Sequence, residues 1–255
     1  MCGRFSLGVG GDEVSRAYRA IGADILAWRP RYSIAPSSLV PVITADRQTS
    51  PDDPDDGHRL VEAARWGFHP SWARDRGPRP INARLETVAD KGMFRSAFAR
   101  HRAVVPMTGY FEWTTEGRSK QPHHIGPPVE EGAAHPPLLN AAAILAPRPD
   151  GDQWSWTMAV ITTTARDGAG TVHDRMPVFL PDDELDEWLD PHPLDTTAAH
   201  GLASHLARTC SRVAATLTTH RVDPGLNDVR RVDPCDPSLV APVDRPRTPP
   251  PAAAS

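Results

Sequence analysis

Apolar and polar positions along this chain change over in short runs, and few stretches keep the spacing of a helical face. Residues 39–44 (LVPVIT), 60–68, 103–113, 138–145 and 154–164 read as strands. Pro41 predicts a sheet edge for the first of these, because proline has no N–H to give to a second neighbour. The last two are predicted to pair across Pro149-Asp150-Gly151-Asp152, a turn signal. Helices are fewer. Residues 12–21 open with acids and have apolar residues at helical spacing. Residues 181–189 begin Pro-Asp-Asp-Glu, which suits a first helical turn by proline position and by the macrodipole. Residues 196–208 are the third candidate. Residues 50–57 (SPDDPDDG) and 122–137 are rich in breakers and read as surface loops, and residues 241–255 read as a disordered tail. Many short strands with interspersed helices predict an α+β fold. One domain over residues 1–240 would be built on a largely antiparallel, barrel-like β core with flanking helices.

Length and composition agree with that picture. The 255 residues are 39% hydrophobic and 24% charged, enough for a full core. No apolar run approaches the roughly 18 residues of a membrane span. The opening Met-Cys-Gly-Arg-Phe lacks the basic and apolar regions of a signal peptide. Cys2, Cys210 and Cys235 are too scattered for a disulfide framework or a zinc ribbon, so a cytoplasmic, reducing location is expected. The net charge is -4, but it is unevenly spread: residues 65–102 hold nine basic residues against three acidic. A stretch of that kind suits a polyanion.

Four short segments carry candidate chemistry. Loss of Met1 would leave Cys2 with an α-amine and a thiol on adjacent carbons, with ordinary pKa values of roughly 7.7–8.0 and 8.5. An aldehyde meeting such a pair forms a Schiff base with the amine, and the thiol then closes a thiazolidine. An internal cysteine cannot do this, since its nitrogen is an amide. By position alone Cys2 reads instead as an inert residue near a frayed end. In residues 80–87 (PINARLET), Asn82 offers hydrogen bonds and Arg84 a phosphate fork, or the segment is a solvated turn into a helix. In residues 109–113 (GYFEW), Glu112 lies among aromatics whose burial would raise its pKa toward acid/base use; otherwise it points to water. His173, beside Asp174 and Arg175 and after Gly168 and Gly170, is a possible proton shuttle or a surface histidine. His123 and His124 are expected to be structural or exposed, with no metal site.

Taken in order, these segments resemble one family. Met-Cys-Gly-Arg-Phe is followed by Arg31-Tyr32-Ser33-Ile34-Ala35-Pro36 and Arg65-Trp66-Gly67-Phe68. Then come residues 81–87 (INARLET), residues 109–113 and residues 173–177 (HDRMP). The set is similar to the SOS response-associated peptidase family, also called abasic site processing proteins. That resemblance implies binding of single-stranded DNA at abasic sites and a stable thiazolidine crosslink through Cys2. It also implies a peptidase-like self-cleavage that frees the N-terminus, and lyase-like chemistry. By the same resemblance Asn82 holds the thiazolidine, while Glu112 and His173 transfer protons. Arg4 and Arg84 contact phosphates, and Trp66 and Trp72 stack on bases. No cofactor is implied, and a monomer is expected. Two departures stand out: Ser33 replaces an Asn of the family pattern, and Arg166 stands where an Asn is expected. An N-terminal-nucleophile amidohydrolase, a cysteine peptidase acting on other proteins, and a non-covalent adaptor for damaged DNA are the competing readings.

Overall fold

The computed structural model describes residues 2–22, 24–46, 59–133, 135–151, 153–165 and 172–243. Residues 50–57, Asp152, Arg166, Gly168, Gly170 and the end of the proposed tail lie outside them. In chain order the strands are β1 (Phe5–Leu7), β2 (Ala20–Ile21), β3 (Arg31–Ile34), β4 (Leu39–Ala45), β5 (Arg59–Trp66), β6 (Asn82–Arg84) and β7 (Arg102–Met107). They continue with β8 (Gly109–Glu116), β9 (Ser119–Gly126), β10 (Leu139–Asp150), β11 (Gln153–Thr164), β12 (Arg175–Pro177), β13 (Phe179–Leu180) and β14 (Thr218–Arg221). The helices are α1 (Gly11–Tyr18), α2 (Leu85–Val88), α3 (Arg95–Arg100), α4 (Leu185–Leu189) and α5 (Thr196–Ala214).

The predicted α+β class with a barrel-like core is what the chain forms. The larger sheet runs β12-β11-β10-β7-β4-β5-β2, and β11 pairs again with β5. That second pairing bends the sheet back on itself, so β11, β10, β7, β4 and β5 make a closed barrel. Most of its ladders are antiparallel, but the closing one, with Trp156, Thr157 and Met158 opposite Ala64, Arg65 and Trp66, is parallel. A smaller antiparallel sheet, β14-β9-β8-β1-β3, lies beside the barrel. The run Ala141-Ala142-Ala143 of β10 is buried without alternation, as befits a barrel strand covered from outside. Arg102 fastens that cover. Its guanidinium donates to the carbonyls of Phe98 and Ala99 in α3 and of Trp188 in α4, groups that no further helical turn would satisfy.

Three readings of the pattern need correction. Pro41 does not mark an edge, for β4 sits between β7 and β5. Its only register pair with β7 is Ile43 with Val104, so at Pro41 the strand has already parted from that neighbour. Residues 103–113 are two strands in two sheets. The chain leaves the barrel at Met107 and enters the small sheet at Gly109. A Cβ on Gly109 would fall 2.3 Å from His124 Nε2, so only glycine lets the strand pass there. Finally, His123 and His124 lie on β9 rather than in a loop, and His124 is buried.

His124 Nε2 lies 3.1 Å from Ser6 Oγ, which also receives a hydrogen bond from Thr108 Oγ1 at 3.0 Å. Burial, helped by the charge of His220, pushes this imidazole down to about 3. The unfolded chain, with an ordinary value near 6.5, binds a proton that the folded chain refuses. Stability should therefore fall as pH drops through the window from about 6.5 to about 3, by up to about 1.4 kcal/mol per pH unit. In urea unfolding followed across that window, His124→Gln should show a shallower acid slope than the wild type. Equal slopes would remove His124 from the acid sensitivity.

Candidate active site

The first residues of the chain run beside β8. Phe111 N–H donates to the Arg4 carbonyl at 2.9 Å, and Phe5 stands opposite Tyr110. Cys2 is thereby drawn into the interior and has no exposed surface. Asn82, at the start of β6, donates from Nδ2 to the Cys2 carbonyl at 2.9 Å. Its Oδ1 is buried and has no hydrogen-bond partner among the described residues. Glu112, on β8, is only 3% exposed. Its charge and that of Cys2 are close enough to act on one another: burial raises the Cys2 thiol above its ordinary range, and the Glu112 carboxylate raises it further. Glu112 is itself held above the usual carboxylate range, by burial first, while the amino-terminal charge and His173 oppose the rise. His173 reaches the group from the segment before β12.

The four residues expected to do chemistry are thus brought together from four parts of the chain. What they offer is a protonated thiol, a carboxyl group poised to exchange protons, an imidazole and an amide with a spare acceptor. The arrangement suits addition to an electrophilic carbon, with the proton of the nucleophile moved nearby.

The surrounding residues divide. Arg84 is exposed and faces the same side of β6 as Asn82, with buried Ala83 between them. Trp72 is 65% exposed. Its loop is braced from the β10–β11 hairpin, where Arg148 donates to the carbonyls of Pro70 at 3.3 Å and Ala73 at 3.2 Å and pairs with Asp75. Arg74, Arg76 and Arg79 are exposed on the same loop.

Trp66 does not fit the expectation of base stacking. It is wholly buried, meets Phe5 edge-on at 5.2 Å, and donates from Nε1 to the Ile81 carbonyl at 2.9 Å. It is a core residue that holds the chain just before Asn82. Arg4 also departs from an exposed phosphate contact. It is 6% exposed, donates to Ser33 Oγ at 2.8 Å and to the Leu226 carbonyl at 3.4 Å, and lies 5.9 Å from the Trp113 ring centroid. Ser33 therefore acts as an acceptor for Arg4.

Sequence reasoning missed other contacts made by these segments. Trp113 Nε1 donates to Asn227 Oδ1 at 2.7 Å, and Asn227 Nδ2 donates to the Lys120 carbonyl at 2.8 Å. Glu86 and Arg175 form a two-pronged ion pair between the segments of Asn82 and His173. Both lie in motifs already singled out, and their opposite charge was the available signal, but 89 positions separate them.

Comparison with known proteins follows the same lines. The profile of the family described as SOS response associated peptidase (SRAP) matches residues 1–229. Abasic site processing protein YedK of Escherichia coli is 32% identical over 197 residues, 74% of this chain and 79% of that one. YoaM of Bacillus subtilis, which carries the same description, is 30% identical over 207 residues, 75% and 80% of the two chains. HMCES of Xenopus tropicalis, again an abasic site processing protein, is 27% identical over 275 residues, 89% and 82%. A crystal structure of a Bacteroides thetaiotaomicron protein superposes with a TM-score of 0.74 at 25% identity, covering 95% of this chain and all of its own.

The two tryptophans separate cleanly by experiment. Trp66→Ala should lower stability by about 3–5 kcal/mol, the usual effect of emptying a large aromatic site in a core. Trp72→Ala should leave the thermal midpoint where it is. A Trp66→Ala protein as stable as the wild type would contradict the core assignment.

Proposed function

The chain belongs to the SOS response associated peptidase family, and from that premise we propose that it captures abasic sites in single-stranded DNA as a covalent thiazolidine on Cys2. The observation that carries the reading is the placement of Cys2: it is the second residue, hydrogen-bonded by Asn82 and set against a buried Glu112. An abasic deoxyribose opens to an aldehyde. The Cys2 α-amine, freed by loss of Met1, adds to that carbon, and the adduct loses water to give a C=N bond. The thiol then adds across this bond. A C–S bond forms, the thiol proton is transferred, and the nitrogen ends as the N–H of the ring. One water is released in all.

Burial dictates the division of labour. A thiol held in its neutral form needs a base as it attacks, and Glu112, kept above the usual carboxylate range, suits both taking that proton and protonating the departing hydroxyl. His173 is the second proton-transfer group. Asn82 fixes the Cys2 main chain with its Nδ2 and offers Oδ1 to the ring N–H. The same nucleophile serves a peptidase-like hydrolysis of whatever precedes Cys2. The C=N intermediate has a competing, lyase-like fate: loss of a proton from C2 of the sugar with departure of the 3′ phosphate. Arg84 and the loop arginines track the DNA backbone, and Trp72 stacks on a base.

The test is incubation with a single-stranded oligonucleotide carrying one abasic site, followed by a denaturing gel. Protein beginning at Cys2 should give a retarded band that survives heating, and Cys2→Ala should give none. No band from the wild type, or an equal band from Cys2→Ala, would overturn the mechanism.

Glu112→Gln keeps the shape and removes the proton exchange. It should slow crosslinking by about 10²–10⁴-fold while retaining DNA affinity in a mobility-shift assay. Crosslinking at the normal rate would leave Glu112 a structural residue only.

A further inference from the structure

One face of the β4–β5 ladder carries an apolar cleft that the chemistry at Cys2 does not use. Register sets Leu39 opposite Arg65, Pro41 opposite Ala63 and Ile43 opposite Val61, and side chains opposite one another share a face of the sheet. The short 3₁₀ turn Asp24–Ala27 and the residue after it close one side. Ile25, Trp28, Leu39, Pro41, Val61 and Ala63 line a cleft of about 270 Å³. That is just below the roughly 300–1,000 Å³ of sites for drug-sized ligands, and it suits side chains better than a whole cofactor. Leu39 is 49% exposed at its mouth. Trp28 Nε1 is buried and has no hydrogen-bond partner among the described residues, a costly state that marks this wall as unfinished in the free protein.

The charges around the cleft have one sign. Arg31 lines it, with its guanidinium carbon 5.2 Å from the centroid of the Trp28 ring. Arg65, beside Leu39, is exposed and donates to the Ser37 carbonyl at 2.9 Å. Neither arginine pairs with a carboxylate among the described residues. Glu62 also borders the cleft, but its side chain leaves the opposite face of β5. There its carboxylate accepts from Trp156 Nε1 at 2.7 Å and from Thr44 Oγ1 at 2.9 Å. An occupant must therefore bring apolar bulk together with negative charge. Single-stranded DNA brings the charge, but its bases dock on open aromatic faces. Here the walls are mostly aliphatic, and Arg31 already lies over the one indole.

We propose that this cleft docks a partner protein through an acidic segment that contains a bulky apolar residue. The apolar side chain seats against Leu39, Pro41 and Trp28, and neighbouring carboxylates meet Arg31 and Arg65. Cys2, Asn82, Glu112 and His173 take no part in lining the cleft, so the proposal stands apart from the crosslinking reaction.

The test uses the full chain and labelled peptides of four aspartates followed by two leucines or two phenylalanines. Their counterparts carry lysine in place of aspartate. Binding is followed by fluorescence anisotropy and by the indole N–H signals of nitrogen-labelled protein, with Trp28→Phe assigning the Trp28 signal. At least one acidic peptide should bind saturably and move that signal, and the lysine peptides should not. Leu39→Asp, a change at an exposed position, should keep the thermal midpoint and weaken binding about tenfold or more, since it removes an apolar anchor and adds a like charge. Arg65→Glu should weaken binding and flatten its salt dependence. Failure of both acidic peptides to bind would overturn the proposal, as would equal binding of the lysine peptides or binding that neither variant alters. Displacement of the peptide by an undamaged single-stranded oligonucleotide, with a matching loss of oligonucleotide affinity in Leu39→Asp, would give the face to DNA and overturn it as well.

Discussion

The closing ladder between β5 and β11 is the constraint on which the rest of this structure depends. A sheet that ended at β11 would leave its edge open and its inner face wet. The parallel rungs from Trp156 to Met158 turn it into a barrel and give β11 neighbours on both edges. They also prepare the site. β6 continues along the edge that β5 began, with Asn82 opposite Val160, and β12 pairs a few residues further on. One strand thus holds two of the four candidate segments in place. Glu112 comes from β8 of the smaller sheet, and Cys2 from the segment that leads into its neighbour β1.

The chemistry follows from how little water reaches those segments. A surface cysteine would be partly ionised near neutral pH and open to any oxidant or alkylating agent. Burial and the neighbouring carboxylate keep this thiol neutral, and the same burial makes Glu112 a better proton acceptor than an ordinary carboxylate. Each group is made useful by what makes it costly to bury. Hydrogen bonds from Arg4 to Ser33 and Leu226 and from Trp113 to Asn227 tie the strand of Glu112 and the first residues of the chain to later segments.

Much of this was legible in the chain. The strand-like runs 138–145 and 154–164 on either side of a Pro-Asp-Gly turn signal pointed to the hairpin that forms. The short motifs named the residues that converge. What stayed hidden was hidden for physical reasons. Trp66 and Trp72 sit in the same basic stretch, and only the direction of each side chain decides that one is core and the other exposed. The break at Thr108 and Gly109 depends on His124 pressing from a neighbouring strand, a contact that local periodicity cannot carry. Pro41 read as an edge because a proline rule assumes continuous pairing, whereas the ladder between β4 and β7 is registered only at Ile43 and Val104. The resemblance gave Arg4 as a phosphate contact, and nothing near it in the chain reveals Ser33 and Leu226 as its partners.

Contacts across the fold also join early and late parts of the sequence in time. Arg4 leans on Leu226, Trp113 on Asn227, and the Tyr32 amide on the Pro234 carbonyl at 2.7 Å. On a ribosome that adds roughly 5–20 residues each second, the first of these partners emerges long before the second. The contacts that hold Arg4, Tyr32 and Trp113 are therefore among the last that the growing chain can complete.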